Sequence, residues 1–373
     1  MKPYKVICVV GARPNFMKIA PIMRAFSESE LIEAVLLHTG QHYDQSMKHS
    51  FFDQLHIPEP SIDLEVGSGS HAVQTAEVMK RFEPVLDEHQ PNAVLVVGDV
   101  NSTIACALVA VKKGISVIHV EAGLRSGDRT MPEEINRVLT DQISDLLFTT
   151  ESDAIKNLTK EGIEPSKVHF VGNVMIDTLL YNLQRATPST TTLEQVFGSA
   201  PDAYGLMTLH RPSNVDDPKV LASLLNTLAN ISKDLPLYFP VHPRTRACIE
   251  KAGLSKVIEA ANIHLLPPQG YLEMLGLMAG AKVVLTDSGG IQEETTALGI
   301  PCITLRENTE RPITLTQGTN SLAGTDSQVI TSLFNEVMET GGKSGQVPEK
   351  WDGDAAKRIC SVLESYFQQG TSL

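Results

Sequence analysis

Carboxylates and basic residues placed where apolar runs end are the side chains in this sequence whose spacing most invites chemistry. Glu121 stands at the end of such a run, in His119-Val120-Glu121-Ala122-Gly123-Leu124-Arg125. A glutamate at the end of a core strand is seldom there for packing, because a buried carboxylate needs a partner. It serves either a salt bridge to Arg125 or Arg137, or catalysis. Asp99 follows Val96-Val97-Gly98 and precedes Val100-Asn101-Ser102-Thr103. An aspartate there can cap the next helix. Asn101 and Ser102 can do the same, which leaves Asp99 free to face a cleft. Glu133 lies in Met131-Pro132-Glu133-Glu134-Ile135-Asn136-Arg137, where the proline marks a first helical turn. Acid in a first turn suits the helix dipole. Glu133 and Arg137 are four apart, a pairing distance along a helix face.

Basic residues and glycines form a second set. Gly11-Ala12-Arg13-Pro14-Asn15-Phe16-Met17-Lys18 follows the first apolar run and opens a helix. Free N–H groups at a helix start attract anions, and Arg13 and Lys18 add formal charge. The turn matches neither GxGxxG nor a Walker loop. Gln41 and His42, in Gly40-Gln41-His42-Tyr43-Asp44, are polar side chains where the second run ends, either for a ligand or for hydrogen bonds within a loop. His210 and Arg211, in Leu209-His210-Arg211-Pro212-Ser213-Asn214, can bind phosphate or move protons. His242 sits in a similar polar burst, Pro240-Val241-His242-Pro243-Arg244, and Arg311 in Arg306-Glu307-Asn308-Thr309-Glu310-Arg311-Pro312. Asp287-Ser288-Gly289-Gly290-Ile291-Gln292-Glu293-Glu294 is the most specific of these signals. Its glycines let backbone N–H groups approach a diphosphate, and Glu294 is placed to accept ribose hydroxyls.

These turns need strands and helices to hold them. Strand-like runs are Val6–Val10, Ala34–His38, Ala93–Val97, Ser116–Val120, Leu146–Thr149 and His169–Val171, then Tyr204–Thr208, Leu237–Pro240, Ile263–Leu265, Lys282–Thr286 and Cys302–Leu305. Helix-like stretches between them include Ile104–Lys113, Asp153–Glu161, Lys219–Ile231, Tyr271–Ala279 and Ile291–Leu298. Near-continuous apolar strands alternating with helices predict parallel sheets covered on both faces. The series occurs twice. The break, Arg185–Pro201, is rich in Thr, Ser and Pro and reads as a linker or hinge. The expected architecture is two Rossmann-like, doubly wound α/β domains with a central cleft, residues 1–185 and 200–350. A last amphipathic helix spans Asp354–Gln368, in a tail of residues 354–373.

Composition narrows the function classes. The chain has 373 residues, enough for two domains, with a net charge of −13 that disfavours nucleic-acid binding. An anionic ligand must then be met by locally concentrated positive charge. The five cysteines are scattered and form no CxxC pair, which fits a reducing cytosol and no zinc site. The first apolar run stops at Gly11, too soon for a signal peptide or a membrane span, so a cytoplasmic protein without membrane contact is expected.

Taken together, GARPNFMK, GQHYD, GDVNST, HVEAGLRS, PEEINR, LHRPSNVD, DSGGIQEE and ENTERP resemble the motifs of the non-hydrolysing UDP-N-acetylglucosamine 2-epimerase family. They run in the family's order from Gly11 to Pro312. The resemblance implies a fold like the two-domain glycosyltransferases of GT-B type, with the C-terminal helix crossing back onto the N-terminal domain. It implies a UDP-sugar substrate, no cofactor, no metal and a homodimer. It makes Arg13, Lys18, Asp99, Glu121, Glu133 and His210 catalytic or substrate-contacting, with Arg137 a nearby basic residue. Ser288, Gly289, Gly290 and Glu294 become the nucleotide clamp, and His242 a further cleft histidine.

The implied reaction interconverts UDP-N-acetylglucosamine and UDP-N-acetylmannosamine. The C2 proton has no neighbouring carbonyl, so it leaves as UDP departs from C1, giving a glycal, and UDP adds back after protonation from the other face. This chain reads LHRPSNVD where better-known members read HRREN, which leaves room for a related substrate such as a diacetamido-uronate. Some bacterial members bind a second, allosteric UDP-sugar, and Asp44 and Ser68-Gly69-Ser70-His71 depart from that pattern. A hydrolysing enzyme, a glycosyltransferase of the same architecture and a catalytically silent UDP-sugar-binding regulator are the alternatives.

Overall fold

The computed structural model describes residues 2–40 and 54–369. Its elements begin with β1 (Tyr4–Val10), α1 (Arg13–Ser27), β2 (Ile32–His38), β3 (Ile62–Asp63), α2 (His71–His89), β4 (Ala93–Val97) and α3 (Asn101–Lys112). Next come β5 (Ser116–Ala122), α4 (Pro132–Ile143), β6 (Leu146–Thr149), α5 (Ser152–Lys160), β7 (Val168–Phe170) and α6 (Val174–Leu183). They are followed by α7 (Ser189–Phe197), β8 (Gly205–Thr208), α8 (Pro212–Val215), α9 (Pro218–Ile231), β9 (Leu237–Pro240), α10 (Pro243–Lys251), α11 (Ser255–Glu259) and β10 (Ile263–Leu266). The last are α12 (Tyr271–Ala279), β11 (Val283–Thr286), α13 (Gly289–Leu298), β12 (Cys302–Thr304), α14 (Pro312–Thr316), β13 (Asn320–Leu322), α15 (Ser327–Thr340) and α16 (Ala355–Gln368).

The chain forms two compact units, Met1–Leu180 with Glu349–Leu373, and Tyr181–Pro348. The first unit holds a parallel sheet in the order β3-β2-β1-β4-β5-β6-β7. Every residue of β4, Ala-Val-Leu-Val-Val, is buried, because helices cover both faces and branched side chains fill the pleats. Ile7, Val9, Val94 and Val96 pack with Phe82 and Leu86 of α2 and Ala105, Cys106 and Ala110 of α3. Fully burying one such large side chain is worth about 1.5–3 kcal/mol. The returning α16 belongs to this unit: Phe367 stacks on Tyr4 at 4.6 Å, and the first amides of α16 donate to Asp177 of α6.

In the second unit the parallel order is β10-β9-β8-β11-β12-β13. Its core joins Met207, Phe239, Leu285 and Ile303 of the strands to Leu221, Leu225 and Leu228 of α9 and Ile330 and Phe334 of α15. In both sheets the order reverses once, between β1 and β4 and between β8 and β11. Ligands of open α/β sheets bind beyond the strand ends at that reversal.

Two expectations are corrected. The stretch read as a linker, Arg185–Pro201, contains α7, whose Thr192 and Leu193 are buried. Its Thr-rich composition suits a loop, but packing against α12 overrides weak helix propensity. The strands β3 and β13, two and three residues long, were not among the apolar runs. They are too short and too polar to leave a periodic trace.

Candidate active site

In the first unit, the turns after β1 and β4 flank the reversal of strand order. Asn15, buried in the first turn of α1, joins them. Its side-chain oxygen accepts from Gly11 N at 3.2 Å and Ala12 N at 3.0 Å, and its amide donates to Val97 O at 3.1 Å. One turn further along α1, Lys18 Nζ lies 2.6 Å from Glu121 Oε2, and both side chains are buried. Gly98 is required beneath this pair: its φ is +67°, and a Cβ there would sit 2.9 Å from Lys18 Nζ.

Glu121 itself is unusual. Its φ is +74°, and the register between β5 and β6 shifts between Val120 and Ala122. A side chain other than glycine in this left-handed region costs about 1–2 kcal/mol and persists only where its surroundings hold it. Bulges of this kind re-aim side chains beside functional sites. Among the described residues, Glu121 is ion-paired with Lys18. Arg125 instead binds Asp141 and Glu161.

Asp99 is ion-paired with Arg137, and its backbone carbonyl accepts from Asn136 at 2.9 Å. Arg137 also binds Glu134 at 2.6 Å, so it pairs with Glu134 and Asp99 and not with Glu133. Burial pushes the Glu134 carboxyl up, but the N–H groups of Ser126 and Gly127 and the Arg137 guanidinium leave it below its usual range. Glu133 faces a cavity of about 290 Å³ shared with Asn136, Asn101, Gln74 and His71. Asn101 and Ser102 do not cap α3; both are buried inside it, and no side chain caps its start. Asn101 instead donates to Gln74 at 2.8 Å. Gln41 and His42, and the side chain of Arg13, lie outside the described residues.

The second unit repeats the design with different chemistry. Asp287, at the end of β11, is fully buried and accepts from the backbone N–H groups of His210 and Arg211 at 3.0 and 2.9 Å. It also lies 2.8 Å from His210 Nδ1. Burial raises its carboxyl, but His210 and these amides hold it below the usual range. Asp287 thus fixes the turn after β8 and orients the half-exposed His210 ring.

Ser288 precedes α13, and Gly289 and Gly290 are its first two residues. A Cβ on Gly289 would come within 2.8 Å of Glu310 Oε1. Glu310 binds Arg306 at 2.9 Å and Arg211 at 3.3 Å, and with Arg311 nearby its carboxyl lies far below the usual range despite burial. Arg311 binds Glu293 at 2.8 Å. Glu294 is buried and accepts from Tyr271 Oη at 3.1 Å. His242 is exposed and caps α10 through a 3.3 Å contact with Arg244 N, a structural duty the sequence reading did not assign.

Of the sequence candidates, the first unit pairs Lys18 with Glu121 and Asp99 with Arg137. The second brings together His210, Arg211, Ser288, Gly289, Gly290 and Arg311. The organising residues Asn15, His119, Asp141 and Asp287 were given no role from sequence. The rule applied to Glu121, that a carboxylate ending a core strand needs a reason, points to Asp287 as well. Among the described residues no three His, Cys, Asp or Glu side chains gather as metal ligands. Nor is any helix among them long and apolar enough to cross a membrane.

Two parallel α/β sheets, each with polar turns at its reversal of strand order, define a two-domain protein of the GT-B-like class. A family model described as UDP-N-acetylglucosamine 2-epimerase matches residues 24–364, and the chain belongs to that family. The UDP-N-acetylglucosamine 2-epimerase of Methanococcus maripaludis is 42% identical over 96% of this chain and 98% of its own. A UDP-2,3-diacetamido-2,3-dideoxy-D-glucuronate 2-epimerase of Pseudomonas aeruginosa is 40% identical over 96% of this chain and 99% of its own. The crystal structure of the Methanocaldococcus jannaschii UDP-GlcNAc 2-epimerase in complex with UDP-GlcNAc and UDP superposes with a TM-score of 0.89 at 41% identity. It covers 97% of this chain and 99% of that one.

Proposed function

We propose that this enzyme interconverts UDP-N-acetylglucosamine and UDP-N-acetylmannosamine by removing the C2 proton as UDP leaves C1, then returning UDP to the glycal. The observation that carries the reading is Glu121, held in a left-handed backbone conformation and buried against Lys18, with Asp99 ending the adjacent strand. Inversion at C2 needs a proton taken from one face and delivered to the other, work for paired carboxylates of tuned basicity. Asp99, Glu121 and Glu133 serve that proton transfer in this reading. Arg137 holds Asp99, and Lys18 holds Glu121.

The departing diphosphate calls for cations and free helix N–H groups. Ser288, Gly289 and Gly290 offer the amides, while His210, Arg211 and Arg13 offer charge or protons. Glu294 serves the ribose hydroxyls, with Gln41, His42, His242 and Arg311 as further substrate contacts. Cytoplasmic work as a homodimer, without cofactor, metal, nucleic acid or membrane, is part of the same reading. Light scattering on the eluted protein tests the dimer.

The deciding experiment is NMR of the protein with UDP-N-acetylglucosamine in deuterated water. The expected product carries deuterium at C2, and unlabelled product would remove the elimination route. Asp99→Asn and Glu121→Gln are each expected to slow the labelling by about a hundredfold.

A second substrate is favoured by the Pseudomonas aeruginosa relative at 40% identity and by the LHRPSNVD segment. A higher kcat/KM on the diacetamido-uronate than on UDP-N-acetylglucosamine would select it.

A further inference from the structure

His119 and Asp141 lie under the carboxylate cluster without belonging to it. Both are fully buried. The His119 ring makes two contacts, Nδ1 at 2.7 Å from Asp141 Oδ1 and Nε2 at 2.8 Å from Gly98 O. Both ring nitrogens are therefore engaged, and the ring is held from both sides. The other carboxylate oxygen of Asp141 accepts from Gly123 N at 3.0 Å and from Arg125 at 2.7 Å.

The sequence positions of these contacts are informative. Gly98 immediately precedes Asp99, and Gly98 N donates to Val120 O at 3.1 Å, next to Glu121. Gly123 lies two residues beyond Glu121. Glu121 is therefore bracketed by hydrogen bonds on each side of its left-handed backbone. The same buried pair anchors the peptide that leads into Asp99. An unclamped L-residue would relax from φ +74° towards extended backbone and swing its carboxyl out of place.

We propose that His119 and Asp141 are positioning residues that set the spacing of the Asp99 and Glu121 carboxylates. This rests on the reading that those two carboxylates transfer the C2 proton. The pair touches no substrate and acts through the backbone at Gly98 and Gly123. Its loss would displace both carboxylates while leaving the uridine diphosphate clamp of the other unit intact.

The test compares His119→Gln, Asp141→Asn and Phe82→Leu with the wild-type protein. Phe82 is a buried core residue of the same unit that makes none of these hydrogen bonds, so its variant reports general destabilisation. For each, kcat and KM come from C2 deuterium labelling, UDP affinity from calorimetry and folding from thermal melting. Wild-type protein that fails to label UDP-N-acetylglucosamine sinks the proposed function itself, whatever the variants do. With active wild type, H119Q and D141N are expected to lose about ten- to a hundredfold in kcat. Their KM and UDP affinity stay within about threefold, and F82L keeps its kcat within the same margin. Three results overturn the positioning role: unchanged kcat in H119Q, an equal fall in F82L, or failure of both H119Q and D141N to fold, which would make the pair a stability element.

Discussion

Replacing Asp177 by asparagine is expected to stabilise the first unit at pH 7.5 and to leave it almost unchanged at pH 4. Asp177 accepts from the first two amides of α16, Ala355 N at 3.1 Å and Ala356 N at 2.7 Å, and is only 5% exposed. Burial is the main influence on its carboxyl. Those amides oppose it, the nearby Asp354 and Asp352 add to it, and the group is pushed from 3.8 up to about 6. At 1.36 kcal/mol for each tenfold change in proton affinity, the ionised form costs about 3 kcal/mol of folding stability. The folded state binds this proton more tightly than the unfolded chain. The favourable contribution of Asp177 is therefore complete below pH 3.8 and lost as pH rises through about 6.

Asparagine has the size of the protonated acid and stays neutral at both pH values, but only its carbonyl oxygen accepts, so it keeps one of the two amide hydrogen bonds. The variant should match the wild type within about 1 kcal/mol at pH 4, a difference the size of one altered hydrogen bond. It should exceed the wild type by about 3 kcal/mol at pH 7.5. Urea unfolding followed by tryptophan fluorescence reads this directly. The chain has a single tryptophan, and Trp351, just before α16, is buried with its Nε1 donating to Thr150 O at 3.1 Å. Parallel stability profiles for the two proteins across this range would refute the reasoning.

Three further outcomes are expected. Lys18→Met removes the buried ion pair with Glu121 and should cost about 3–5 kcal/mol in urea unfolding, with at least half recovered in the K18M/E121Q double variant. Gly289→Ala drives a methyl against Glu310, and overpacking of about 1–3 kcal/mol should weaken UDP binding roughly tenfold by calorimetry; unaltered affinity would mean that the start of α13 does not hold the diphosphate. Asn15→Ala strands two buried amides, while Val97 O keeps the Thr103 hydroxyl as donor, and should lower stability by about 2 kcal/mol or more in thermal or urea unfolding.

Much of the framework was legible along the chain. The runs Ala93–Val97, Leu146–Thr149 and Leu237–Pro240 and the helix Tyr271–Ala279 coincide with β4, β6, β9 and α12 end to end. A strand buried on both faces is largely apolar, and many helix starts carry proline, glycine or a capping group, so local composition carries that information. The turns holding Asp99, Glu121, His210 and Ser288–Gly290 were legible for the same reason, since polar residues cluster at or near the ends of apolar strands.

Tertiary structure alone decided the partners. Lys18 and Glu121 are about a hundred residues apart in sequence, yet they meet because β1, β4 and β5 are neighbours in one sheet. The expected i,i+4 pair of Glu133 and Arg137 gave way to Arg137 with Asp99 and Glu134, since a buried guanidinium takes whichever carboxylates the fold places within reach. The left-handed turn at Glu121 depends on hydrogen bonds from Gly98 and Gly123, and no local preference of glutamate encodes it. Composition along the chain therefore determined where polar groups emerge from the sheets. Which of them touch was settled by strand order, because a contact between distant residues is a property of the packed sheet and not of either segment.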